Sequence, residues 1–202
     1  MTTQITKTPR IYAGIDYSMT SPAIAVWDSS TPFRFENIRF YNYYTVKKYE
    51  GVFGKQGNIS ILMQEPHESN EERFRRLSMW AKAVLLQEKV TDASLEDYAM
   101  GAKGAVFHIG ENTGILKQVL FQLKIPFTTP KPTEVKKVFS GKGNAKKDEM
   151  ITTFNNLFNV EMHKIIGAPK LDSKPVDDIV DGLAVLANHP DLHDIKIGDV
   201  LV

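Results

Sequence analysis

The sequence has 202 residues, 42% of them apolar, and a formal net charge of +1. It suits one domain with a sizeable core, and the charge balance names no partner. Cysteine is absent, which excludes a disulfide framework, thiolate metal sites and a cysteine nucleophile. No apolar run approaches the roughly 20 residues of a membrane span, and the polar start from Met1 to Arg10 lacks the apolar stretch of a signal peptide. A soluble, cytoplasmic protein is expected.

In chain order, Ile11 to Ile15 reads as a buried strand that delivers Asp16 at its end. An Asp after a strand is ordinarily a turn residue bonding its own backbone. Ala23 to Trp27 and the aromatic run Phe33 to Tyr44 follow with short links, which predicts an antiparallel meander. Lys47 to His67, punctuated by Gly51, Gly54 and Gly57, reads as a loop excursion with room for a short strand after Asn58. Ser69 to Glu72 matches a capping box. Phe74, Leu77, Ala81, Val84 and Leu85 then recur at helical spacing to about Val90.

Ala93 to Ala99 is a fourth strand containing Glu96, followed by the Gly101 to Gly104 turn around Lys103. A helix is predicted over Glu111 to Leu123, a fifth strand over Ile125 to Thr129, and a short helix over Thr133 to Phe139. After Gly141-Lys142-Gly143, Asn144 can cap a helix carrying Met150, Ile151, Phe154, Leu157 and Phe158. Pro175 opens a last helix, Val176 to Asn188. This order predicts a single α/β domain: a five-stranded mixed sheet flanked by helices, its core spanning about residues 10–190.

Four carboxylates stand out. Asp178 and Asp181 are three residues apart, so they share a helix face, opposite the apolar stripe of Ile179, Val180, Leu183 and Leu186. Acids in a first turn also suit the helix dipole, and Asp177 competes with Asp178 for the same face. If the fourth strand returns parallel to the first, Glu96 lies beside Asp16. Carboxylates so gathered repel one another and retain protons unless cations neutralise them. An all-oxygen donor set suits Mg²⁺ or Mn²⁺. Two such ions about 4 Å apart clamp the attacking and leaving oxygens of a phosphodiester.

Lys131, Lys136, Lys137, Lys142, Lys146 and Lys147 form a basic stretch opposed within it only by Glu134. Beside an acidic metal site it is the rim that would bind a phosphate backbone, with Lys103 as a further contact. His108, His163 and His189 read as structural or surface residues, and Tyr41, Tyr43 and Tyr44 as sheet packing.

These blocks resemble the RuvC family of Holliday junction resolvases, especially divergent bacteriophage-encoded members. Gly14-Ile15-Asp16 resembles the first-strand motif and Leu95-Glu96 the fourth-strand Glu. Val135-Lys136 and Gly143 to Lys147 resemble the basic segment, and Asp178 to Ala184 the final Asp-x-x-Asp-Ala-Leu-Ala helix. The resemblance implies an RNase H-like fold and a crossover junction endodeoxyribonuclease that cuts four-way DNA by paired nicks, leaving 5′-phosphates. It implies two Mg²⁺ (or Mn²⁺) ions per active site held by Asp16, Glu96, Asp178 and Asp181. Lys147 would neutralise charge on the phosphate, Lys103, Lys136, Lys137, Lys142 and Lys146 would contact DNA, and a homodimer would form through helix 111–123. A phage-encoded protein would act in the host cytoplasm.

Departures from the family pattern are Tyr17-Ser18 where Pro-Gly is usual, Gly182 where Ala is common, and the long Lys47 to His67 excursion. They leave open Y-junctions and other branched DNA as substrates. The rival readings are a nuclease acting on RNA–DNA hybrids, a non-catalytic DNA-binding scaffold, and, more distantly, an actin-like ATPase.

Overall fold

A computed structural model of the chain describes residues 8–97 and 106–193. Its centre is a sheet of seven strands in the order β4-β5-β3-β2-β1-β6-β7. Strand β1 (Ile11–Asp16) pairs antiparallel with β2 (Ala23–Asp28), and β2 pairs antiparallel with β3 (Ile38–Tyr44). Strand β6 (Asp92–Leu95) returns parallel to β1, and β7 (Phe127–Thr128) parallel to β6.

Two strands beyond the expected five come from the excursion. Its glycine-rich stretch folds as a hairpin, β4 (Gly51–Phe53) and β5 (Ile59–Met63), with β5 lying parallel to β3. Positive φ at Gly54 and Gly57 makes the tight connection. The buried Asn58 amide closes it, donating to the Phe35 carbonyl at 2.7 Å and the Ile38 carbonyl at 3.1 Å.

Side chains alternate across each strand, so the sheet carries two cores. Ala13, Ile15, Ile24, Val26 and Leu95 pack under α1 (Asn70–Gln87) and α2 (Val106–Gln122). Tyr12, Ala25, Trp27 and Phe40 face the opposite layer, built from α3 (Pro132–Ser140), α4 (Lys147–Phe158), the short α5 (Met162–Ile165) and α6 (Val176–Ala187).

Several local expectations shift. The Ser69 hydroxyl accepts from Glu72 N–H as a cap should, but the Glu72 carboxylate takes the Glu68 N–H, one residue earlier. Helix α2 begins five residues before Glu111, at Val106. Asn144 does not cap α4. Lys146 is the N-cap, and the Glu149 carboxylate accepts its N–H at 2.9 Å. Strand β6 stops at Leu95, and Lys103 lies outside the described residues.

Helix α6 departs most from a surface helix. Apart from Asp181, which is half-buried, every residue from Val176 to Ala187 is buried. The polar side opposite the apolar stripe faces protein, not solvent. A helix buried all round is held by packing on each side: β1 and β2 lie below, α3 and α4 beside it.

Candidate active site

Parallel register decides the first pair of acids. Ile15 is aligned with Leu95, and Glu96 N–H donates to the Ile15 carbonyl at 3.0 Å. Ile15 and Leu95 point into the α1–α2 core. By alternation the next residue of each chain, Asp16 and Glu96, points to the α6 side. Tyr17 then turns back and is buried, and the Ser18 hydroxyl accepts from Ser21 N–H at 3.1 Å to close the turn. The Tyr17-Ser18 departure thus fills the core and builds the turn after Asp16.

Helix α6 brings the second pair. Its first turn reaches the end of the sheet where Asp16, Glu96 and Ala23 meet, because Gly14 lets the helix approach β1 at backbone distance and Gly182 faces Ala23, whose methyl a Cβ added at Gly182 would meet at 3.4 Å. Asp177 and Asp178 are 3% and 5% exposed.

Each acid shows the strain of this gathering. Burial pushes the Asp16 carboxyl well above the usual carboxylate range, with Glu96, Asp181 and Asp178 adding repulsion and the Lys174 ammonium opposing. Burial lifts Glu96 to about 7 against the pull of Lys136. Asp181 is also lifted to about 7, by burial and then by Glu96, Asp178 and Asp177, with Lys147 opposing. Asp178 rises to about 6 through burial and Asp177, partly offset by Lys174. The four predicted acids therefore share one electrostatic site.

Two cations compensate the cluster. Lys174 Nζ bonds Asp178 Oδ1 at 2.7 Å, and Lys147 Nζ pairs with Asp177. Lys174 went unnoticed in the sequence. Its signal was the four-residue spacing to Asp178, concealed by the intervening Pro175. Asp177 and Asp178 also divide their roles here: Asp177 holds the α4 lysine, and Asp178 adds to the repulsion on Asp16.

The donor chemistry fits hard divalent cations. All the acids offer oxygen, and buried Asp177 Oδ1 and Asp178 Oδ2 have no hydrogen-bond partner among the described residues. Bare buried carboxylate oxygens are costly unless a cation or proton meets them. Among the described residues no three acidic or histidine side chains are posed around a single ion. The two lysine contacts turn Asp177 and Asp178 toward ammonium groups instead.

The remaining lysines lie on α3, on α4 and in the turn between them. Lys136 is half-buried and within the field of Glu96. Lys137 and Lys146 are exposed and make no ion pair among the described residues, whereas Lys142 is bound to Glu149 at 2.8 Å. The histidines stand apart: His108 pairs with Glu111 on α2, and His189 packs edge-on against Tyr12 at the start of β1. Tyr43 is core, stacked on Trp80.

The deciding comparison is with solved structures. Thermus thermophilus RuvC superposes with a TM-score of 0.57 over 93% of this chain and 96% of that one, at 17% identity. The fold is that of RuvC. T. thermophilus RuvC in complex with a Holliday junction substrate matches at 0.58, covering 89% of this chain and 92% of that one, with 18% identity. The yeast mitochondrial Holliday junction resolvase Ydc2 matches at 0.54, covering 88% and 76%, with 11% identity. Seven strands and flanking helices thus elaborate a RuvC-like, RNase H-like sheet. No protein-family model matches the sequence. Among curated proteins, Endonuclease MutS2 of Carboxydothermus hydrogenoformans is 24% identical over 131 residues, 65% of this chain. The match spans only 16% of that protein.

Proposed function

We propose that this protein is a divalent-metal-dependent endonuclease that resolves four-way DNA junctions, and other branched DNA, by paired nicks. The observation that carries the reading is the convergence of Asp16, Glu96, Asp178 and Asp181 from β1, the end of β6 and α6 at one end of a RuvC-like sheet. The two RuvC structures and Ydc2 lend the substrate class, one of them being a complex with a Holliday junction substrate.

In this reading Asp16, Glu96, Asp178 and Asp181 hold two Mg²⁺ or Mn²⁺ ions. When bound, the ions supply Lewis-acid activation of water and neutralise charge on the leaving oxygen, giving 5′-phosphate ends. Asp16 and Glu96 are fixed by the parallel ladder and Asp178 and Asp181 by a buried helix, so the acids need little reordering to act. Lys147 is held by Asp177 beside the acids and meets the charge that develops on the scissile phosphate. Lys136, Lys137, Lys142 and Lys146 line the approach for the phosphate backbone. Lys103 joins them as a candidate on sequence grounds.

Two nicks at symmetric positions need two sites, and a second copy of the chain supplies the other. The α2 surface suits that contact. Phe107 and Phe121 are 77% and 76% exposed, and Gly114 between them has nothing within 4 Å of an added Cβ. Spacings of seven residues put all three on one helix face, and such apolar exposure favours association. Among the described residues no helix is long and apolar enough to cross a membrane, and the site of action is the cytoplasm.

The test is nicking of a synthetic four-way junction with Mg²⁺. Symmetric paired nicks are expected from the wild type. Undiminished cleavage by Asp16→Asn or Glu96→Gln protein would defeat the assignment. Competition with a Y-fork and an RNA–DNA hybrid reads out the substrate preference.

A further inference from the structure

The Lys47 to His67 excursion has no part in the site described above, yet its first turn lies beside it. Strand β3 ends at the acid-bearing end of the sheet. Asn42 is aligned with Ala23, whose other neighbour is Asp16. The Asn42 amide donates to the Ser21 and Pro22 carbonyls, and Tyr43 N–H also donates to Pro22. At the other end of the excursion, the Gln64 amide donates to the Thr20 carbonyl at 3.1 Å and the Tyr43 carbonyl at 2.6 Å. Both ends are thus pinned to the loop that follows Asp16.

Between them a 3-10 turn, Lys47–Tyr49, lies on the α6 side of the sheet. Buried Tyr49 packs on Tyr44 with ring centroids 6.0 Å apart, and Lys48 Nζ sits 4.6 Å above the Tyr49 ring. Tyr44 in turn feels the charges of Lys174, Asp178 and Asp177. Lys48, Tyr49 and Tyr44 thus form one contact series that ends within the field of the acid site, where Lys174 pairs with Asp178 and Lys147 at the head of α4 with Asp177. Lys47 and Lys48 are exposed. Glu50, the acid of this turn, is drawn aside to accept from Met63 N–H at 3.3 Å. Lys47 and Lys48 make no ion pair among the described residues, and the cation–π contact with buried Tyr49 orders the Lys48 ammonium before any ligand arrives.

We infer that the Lys47–Tyr49 turn is a second phosphate-binding flank, which takes the duplex backbone of a DNA arm on the side of the acid cluster away from the α3–α4 lysines. The inference rests on the nuclease reading and names how that site would grip its substrate. Double-stranded DNA carries about one charge per 1.7 Å of axis, so an arm laid across the acids meets lysines on both sides. Neither flank reads bases, so the turn would add affinity and orientation without sequence preference.

The experiment is fluorescence anisotropy of a labelled four-way junction titrated with full-length protein in EDTA at several salt concentrations. Wild type, K47A/K48A, K47R/K48R and K55A are compared. Lys55 is exposed in the β4–β5 turn, at the other end of the same hairpin. K47A/K48A should bind at least about tenfold more weakly near 0.1 M salt, and its slope of log K against log salt should fall by about 2. K47R/K48R and K55A should match the wild type. A K47A/K48A protein with the wild-type slope, or a K55A protein that loses as much, overturns this inference and leaves the nuclease reading standing. A wild type that does not bind the junction overturns both.

Discussion

Gly14 on β1 lies against the backbone of Leu186 on α6. A Cβ built on Gly14 would stand 2.1 Å from Leu186 N and 2.4 Å from the Gly182 carbonyl oxygen. Backbone cannot yield as a side chain can, so Gly14→Ala must lift the helix from the sheet. The variant should lose at least about 3 kcal/mol, by the overpacking rule, measured as the midpoint shift in urea denaturation. Whatever folded protein remains should cleave poorly, because lifting α6 separates Asp178 and Asp181 from Asp16.

Neutralising one acid should affect activity and stability in opposite directions. Asp16→Asn removes a half-buried carboxylate that feels Glu96, Asp181 and Asp178. Cleavage should fall at least about 100-fold, while the ion-free protein should gain about 1 kcal/mol from relieved repulsion. Thermal melting in EDTA checks the second effect, and a lower midpoint than wild type would contradict it.

The pH dependence of the ion-free protein follows from the same acids. Glu96 and Asp181 titrate near 7 and Asp178 near 6 when folded, against about 4 for an unfolded carboxyl. Between those values the folded chain holds protons that the unfolded chain has released. Stability should therefore fall as pH rises from about 4 to about 7, by about 1.4 kcal/mol per pH unit for each such proton. Mg²⁺ displaces those protons, so millimolar Mg²⁺ should flatten the fall and bind more tightly at higher pH. Urea melts at pH 5 and 7, with EDTA and with Mg²⁺, report both.

Lys147 and Asp177 form a coupled pair across α4 and α6, with Asp177 almost fully buried. Lys147→Met leaves that carboxylate without its cation and should destabilise more than Asp177→Asn does. In a double-mutant cycle the coupling should lie between about 0.5 and 3 kcal/mol. Lys147→Met should also slow cleavage about 100-fold with junction binding changed only a few-fold. A cycle that sums to zero would show that the two side chains act independently.

The exposed α2 face makes the oligomeric state testable. Phe121→Glu, or Phe107→Glu, should convert the proposed dimer to a monomer in light scattering without changing the melting curve at low concentration, since both side chains stand clear of the core. Monomers should nick one strand at a time rather than both in one encounter.

How much of this was legible in the sequence depended on the range of the signal. The Ser69 cap and the strand carrying Asp16 are local patterns, and the chain folds as they predict. Glu96 was readable because a parallel partner one register step away places it beside Asp16. The surroundings of α6 were not. Its acids look solvent-facing on a wheel, and only Gly14 and the covering helices, distant in sequence, show that they face a buried site. Strand β5 falls in the short strand allowed after Asn58, but its partner β4 escaped. Three-residue pairing leaves little alternation to detect, and glycines at turn positions masked the rest.

The acid site is contributed by the first strand and by the last helix of the described chain, Asp16 from one and Asp178 and Asp181 from the other. On the ribosome β1 is made well before α6. A nascent chain that has exposed β1, β6 and all the basic helix-forming segment still lacks half of its acids. The basic segment is thus complete before the acid set is, and the proposed nuclease activity requires that synthesis has passed Asp181 and that α6 has closed over Gly14.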